Sequence, residues 1–493
     1  MEENTSSKYE FLADDPNFNA KPVVISLIIG AFFAILNETL LNIALTTLMD
    51  VFSLERTTVQ WMATSFMLVM GILTPISALL LQWFSTRKMF IGTMTVFTVG
   101  TVISAVAPSF SVLLLGRILQ AAGTGVLLPI IFNTFLLIFP PERRGSVMGT
   151  VGLVIMFAPA IGPTLSGVIV EYLGWRYLFI TVIPFALFSI LFGWKYLRNV
   201  GEVTKPKIDI LSIFLSSIGF GGIVLGFSLA GEGESGFLDP SVYGTLLIGV
   251  VSLVLFTIRQ LKLDEPLLDV RVFRYPMFSV AVGLFLIIIM SMFSSEIIMP
   301  MYMQDALLLA PAAAGLILLP GSLLNGLMSP VMGKLFDKYG PRKLIIPATL
   351  LLSITMLTLS TIGTDTPIAL IVACYMGLML SISAIMMPAQ TNGLNQLPKR
   401  LYPHGTAIMN TLQPVAGAIG VSVFVSILSA RQASYVSANA QDPNAQINGI
   451  VSGVHSVYLI IFGIALIAFV LSLFMKRAKP EEEHTQSDRA VNE

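Results

Sequence analysis

Long apolar stretches alternate with short charged ones along the whole chain. Fourteen of these stretches are apolar over roughly the 20 residues that a bilayer-crossing helix requires. They begin near residues 23, 58, 89, 111, 145, 177, 209, 241, 277, 311, 343, 367, 404 and 455. The pattern predicts an all-α integral membrane protein with fourteen transmembrane helices. Most connections are short, so consecutive helices are expected to be antiparallel neighbours. Two connections, Lys195 to Asp209 and Arg259 to Tyr275, are longer and charged. They bracket the seventh and eighth spans, which reads as a helix pair inserted between two larger blocks. The polar stretch Arg431 to Gly453 is expected to be a loop, and the acidic tail after Lys476 to stay solvated.

Composition removes the soluble alternative, since 55% of the residues are hydrophobic and only 11% charged, against about 25% charged in ordinary globular domains. The formal net charge is +0, but in a membrane the distribution of charge matters and the total does not. With the N-terminus in the cytoplasm, Arg56, Arg176 and Arg431 fall outside and Arg117 lies within a span. Every other lysine and arginine falls on the inside, which satisfies the positive-inside rule. A multi-pass protein of the bacterial cytoplasmic (inner) membrane, with both termini cytoplasmic, is expected. The opening segment Met1 to Pro22 is polar and acidic, without the basic start or cleavage site of a signal peptide. Cys374 is the only cysteine, and the three histidines lie far apart. Neither a thiolate site nor a histidine metal cluster is expected. No GxxxxGK[ST] phosphate loop occurs, which argues against an ATP-driven pump. The chain therefore reads as neither an enzyme nor a nucleic-acid binder, with no metal and no cofactor beyond a proton gradient as its energy source.

Two stretches repeat at an offset of about 255 to 260 residues, the kind of internal duplication that defines an architecture. PISALLLQWFSTRK from Pro75 pairs with PVMGKLFDKYGPRK from Pro330, and PERRGSVMG from Pro141 pairs with the stretch Pro398 to Asn410. Pro129 and Pro388 fall at the same offset. The repeat predicts two pseudo-symmetric six-helix bundles, residues 23–198 and 277–475. Residues 199–276 form the inserted pair between them, with cytoplasmic tails at 1–22 and 476–493. Such halves carry their site near mid-membrane at their interface.

Only three charged residues sit well inside apolar stretches: Glu38, Arg117 and Glu296. An ionised side chain at that depth costs roughly 2.5–3.5 kcal/mol on insertion scales, so it normally faces a cavity and marks function. Glu38 and Glu296 obey the repeat offset too. Arg117 and Glu38 each lie about two turns from the outer end of their spans and so share a depth. These three are the candidates for proton coupling or substrate binding. Asn42, Trp61, Gln120, Tyr302 and Gln413 are candidate cavity-lining residues.

Four motifs resemble the major facilitator superfamily (MFS), and within it the fourteen-span drug:proton antiporters. GKLFDKYGPRK, Gly333 to Lys343, is similar to the superfamily's cytoplasmic gating loop, with Gly333, Asp337, Gly340, Arg342 and Lys343 at the motif positions. Asp337 is suited to accept hydrogen bonds from helix N-termini or from Arg342 and Lys343. Its first-half counterpart has Gln82 in place of the acid. GRILQAAGTG, Gly116 to Gly125, resembles the fourth-span motif whose arginine is associated with proton coupling. APAIGPTLSG, Ala158 to Gly167, resembles the fifth-span antiporter motif. There Pro159 and Pro163 would bend the helix, and Gly162 and Gly167 would admit a close neighbour. LNETLLNIALT, Leu36 to Thr46, resembles the first-span signature, except that Asn37 replaces its aspartate and the acid stands one residue on, at Glu38. That step rotates the acid by about 100° around the helix.

The resemblance implies proton-coupled efflux of lipophilic, often cationic drugs by alternating access. The expected partners are such small molecules, protons and the lipid bilayer, and the protein is expected to be a monomer. The competing reading is an exporter of the same fold dedicated to one metabolite, lipid or antibiotic.

Overall fold

The computed structural model describes residues 11–15, 18–54, 56–197, 199–200, 203–232, 237 and 239–478, so most of the N-terminal tail and nearly all of the acidic C-terminal tail lie outside the described residues. The described residues are almost entirely helical. In chain order the helices are α1 Ala20–Phe52, α2 Arg56–Trp83, α3 Thr86–Ala105, α4 Phe110–Ile138, α5 Pro141–Tyr172, α6 Tyr177–Ile180, α7 Val182–Tyr196, α8 Ile210–Glu232, α9 Pro240–Lys262, α10 Pro276–Met301, α11 Pro311–Tyr339, α12 Pro341–Leu359, α13 Ile368–Asn395, α14 Tyr402–Ala438 and α15 Ala445–Leu473. The short α6 runs on into α7 as one crossing, Tyr177–Tyr196. Among the described residues, thirteen crossings are long and apolar enough by composition. The 32-residue α5 is a fourteenth of matching length.

Sequence punctuation explains where these helices start and stop. Pro141, Pro240, Pro276, Pro311 and Pro341 each stand at the first turn of a helix, where a missing N–H costs nothing and the fixed φ is already helical. Gly340 closes α11 at φ +79°, a conformation that favours glycine, and Pro341 opens α12 directly after it. At the head of α9, the Asp239 side chain accepts from the Ser241 N–H.

The expected loop at residues 431–453 is mostly helix. α14 runs to Ala438 and α15 begins at Ala445. With 37 residues, α14 is about 55 Å long, well beyond the roughly 30 Å of a hydrocarbon core. Its last turns and the first turns of α15 form a hairpin. Residues 431–444 are mostly exposed, which their polarity suits, and the alanines and glutamines of the stretch favour helix.

α5 packs extensively on α11, and α2 packs on α14, so helices from the early and late parts of the chain meet along two seams. α8 lies against both α2 and α14, while α9 packs on α8 and turns apolar side chains such as Leu247 and Ile248 outward. Arg259 donates to both carboxylate oxygens of Asp209, at 2.6 and 2.9 Å, and ties the pair together at its base. These hydrogen bonds and the cationic partner hold the Asp209 carboxyl down at about 2. The first and last described residues lie on one face of the bundle, where Arg477 donates to the Asp337 carbonyl at the end of α11.

Candidate functional site

Arg117 is 1% exposed, in the third turn of α4. Its Nη1 donates to Asn37 Oδ1 on α1 at 3.2 Å and to Gln120 Oε1 one turn along its own helix at 3.1 Å. Gln120 in turn donates to Thr101 Oγ1 on α3 at 2.8 Å. The guanidinium carbon stands 4.3 Å from the centre of the Phe66 ring on α2, a cation–π contact. Four helices thus converge on one buried cation.

Glu38 lies within electrostatic range of Arg117. The two nevertheless form no salt bridge, and among the described residues Glu38 makes no hydrogen bond. The expected partnership is therefore divided: the family's acid position, here Asn37, grips the arginine with a neutral amide. Glu38, rotated around α1, faces the same cation from a half-buried position without being locked to it. Asn37 is a site residue that sequence reasoning passed over. Its signal was its place in the first-span signature.

Glu296 stands apart, exposed on α10, and its electrostatic neighbour is Tyr375 of α13. No interaction among the described residues joins it to Glu38 or Arg117. Of the candidate lining residues, Trp61 is 43% exposed near the start of α2, and Gln413 is half-buried on α14. Two others are not cavity residues. Tyr302 is fully buried in a π-helical turn after α10, with its hydroxyl donating to the Gly363 carbonyl at 2.7 Å, and Gln120 spends its amide inside the Arg117 network. The side chains of Asn42 and Pro163 lie outside the described residues.

The APAIGPTLSG stretch lies on α5 where it meets α1. A Cβ on Gly162 would come 2.2 Å from Thr39 Oγ1, so the helices touch there because the side chain is absent. Ser166 Oγ donates to the Leu40 carbonyl beside it. Pro159 is half-buried. Gly167 has nothing within 4 Å of an added Cβ, contrary to the expected close neighbour.

The face that carries the termini is sealed by contacts between α5 and the later helices. Asp337 at the end of α11 accepts from the N–H groups of Gly145 and Ser146, both at 2.7 Å, in the first turns of α5. An acid at a helix N-terminus is favoured by the exposed amides and the dipole. Gly333 permits this approach, since a Cβ there would sit 2.1 Å from the Gly145 carbonyl oxygen. Of the two acceptor roles expected for Asp337, the helix N-terminus is the one realised; Arg342 and Lys343 are exposed and make no hydrogen bond or ion pair among the described residues.

Arg144 completes the seal and was not anticipated. Fully buried, it donates to Asn395 Oδ1 at 2.8 Å and to Tyr402 Oη at 3.1 Å, and also to the carbonyls of Leu136 and Phe139. Its repeat counterpart His404 lies buried at the other seam, with Nδ1 accepting from the Asp269 N–H and Nε2 3.4 Å from Gln82 Nε2. The repeat offset pairs Arg144 with His404 and was the available clue.

Comparison with known proteins extends the geometry. The profile of the Major Facilitator Superfamily matches residues 27–421. The chain is 51% identical over 464 residues to the lincomycin resistance protein LmrB of Bacillus subtilis, covering 94% of this chain and 97% of that one. It is 48% identical to the protein of the same name from Listeria monocytogenes, over 93% and 97% of the two chains. The crystal structure of the human organic anion transporter MFSD10 superposes with a TM-score of 0.63 at 13% identity, over 92% of this chain and all of the other, which speaks for the fold alone.

Proposed function

The chain belongs to the Major Facilitator Superfamily, and on that footing we propose that it exports lincomycin-like antibiotics and similar amphiphilic compounds across the bacterial cytoplasmic membrane in exchange for protons. The drug-resistance names of relatives at about half identity support the substrate class. The observation that carries the coupling is Glu38 beside the buried Arg117 network. A carboxylate within range of a fixed cation, but not bonded to it, can take up and release a proton without dismantling the structure around it.

In the proposed cycle Glu38 receives a proton from outside, the bundle opens toward the cytoplasm, and deprotonation there accompanies binding of the drug. Asn37, Gln120 and Thr101 keep Arg117 in place throughout, so the positive field at Glu38 is constant. Glu296, exposed and without an ion-pair partner among the described residues, is the second group able to meet a cationic substrate or a proton. The contacts among Asp337, Arg144 and the first turns of α5 are the cytoplasmic gate, which separates when the protein faces inward.

The test is drug transport by the purified protein in liposomes under an imposed proton gradient. Lincomycin accumulation that collapses with an uncoupler supports the proposal. Accumulation indifferent to the gradient contradicts it.

A further inference from the structure

The segment ahead of α1 is polar and acidic, yet Phe11 within it is only 6% exposed. Its ring lies beneath two cations that come from different parts of the chain. The Arg144 guanidinium carbon, at the start of α5, is 5.6 Å from the ring centre, and Lys399 Nζ, in the turn leading into α14, is 4.8 Å away. Beside it, Asp14 Oδ1 faces Arg143 Nη1 at 3.8 Å. The turn Leu12–Asp14 also touches α4. A few residues further on, α1 begins and leashes the segment to the bundle.

We propose that Phe11–Asp15 is a strap across the termini-bearing face, and that it biases the protein toward the state in which that face is closed. Arg144 already bridges the seam through Asn395 and Tyr402. Parting α5 from α13 and α14 would withdraw Arg144 from Lys399, so the ring between them must lose one cation and meet water. Both losses oppose opening. The charged groups shown against this segment are Arg143 and Arg144 from α5, Lys399 from the turn before α14, and Asp14 of the strap itself. Asp14 meets Arg143 of α5, while the Phe11 ring meets Arg144 from one side of the seam and Lys399 from the other. The segment Phe11–Asp15 thereby becomes a control on gating.

The inference rests on the alternating-access reading, and one experiment separates the two. Spin labels at Lys88→Cys and Lys338→Cys, exposed positions on the same face, report the width of the seam in a Cys374→Ser background. The native strap is expected to give a mainly short distance with a minor long one that grows when drug is added. Phe11→Ala should raise the ratio of long to short about tenfold, the scale of one buried aromatic contact. Phe11→Trp, which keeps a ring, should restore the native ratio, and Lys399→Gln should give an intermediate one. Two native distances with an unchanged ratio in Phe11→Ala would overturn the strap alone. A single distance under every condition would overturn alternating access and the strap with it.

Discussion

Asn37 Oδ1 accepts from Arg117 Nη1 at 3.2 Å, so the buried cation of α4 is tethered to α1 by a neutral amide while the adjacent acid remains unbonded. Substituting Asn37→Leu should leave a buried donor short of its acceptor and cost about 1–3 kcal/mol. The melting temperature of the detergent-solubilised protein should fall accordingly. Gradient-driven transport should fall with it, because the guanidinium can then swing onto Glu38. Asn37→Asp keeps an acceptor in the same place and is expected to retain native stability.

The α5–α11 seam is a second test, with a glycine of α5 away from that seam as its control. Gly333→Ala drives a Cβ to 2.1 Å from the Gly145 oxygen, against backbone that cannot yield cheaply. The expected penalty is about 1–3 kcal/mol, seen as a lower melting temperature and a looser seam by spin-label distance. Gly167→Ala meets nothing within 4 Å and should leave stability unchanged or slightly raised, as expected for glycine replaced inside a helix.

The pairing of Asp209 with Arg259 predicts a pH dependence. The Asp209 carboxyl titrates at about 2 in the folded protein, below the roughly 3.9 of an unfolded chain. Its contribution is therefore complete above about pH 4 and is lost as the pH falls toward 2. The stability difference between native protein and Asp209→Asn, of about 1 kcal/mol for a partly exposed pair, should be constant from pH 8 to pH 5 and shrink below pH 4. Melting curves across that range check it. A difference that changes between pH 6 and 8 would show that the pair does not titrate as described.

Much of this architecture was legible in the apolar pattern, because a bilayer demands unbroken apolar runs and little else makes them. The gating motif was legible as well: Asp337 between two glycines reads as an acid meeting a closely approaching helix, and it meets α5. What the sequence could not supply was rotation. Whether Asn37 or Glu38 faces Arg117 depends on how α1 is turned, and that is set by distant packing such as Gly162 against Thr39. Tyr302 was misread for a related reason. An amphipathic ring near a helix end suits a cavity mouth and a buried carbonyl equally well, and only the position of Gly363 decides. Arg144 was hidden beside Arg143, since two adjacent arginines look alike although one is buried and the other exposed.

The central claim is that Glu38 carries the coupled proton, and the sharpest measurement compares two modes of transport in Glu38→Gln liposomes. Exchange of labelled lincomycin for unlabelled lincomycin requires only that the protein bind drug and change its facing. Accumulation against a gradient also requires a titrating group. The account predicts that exchange persists while proton-driven accumulation falls at least tenfold, with Glu296→Gln as the parallel comparison. Accumulation at the native rate in Glu38→Gln, and again in the double variant with Glu296→Gln, would contradict it.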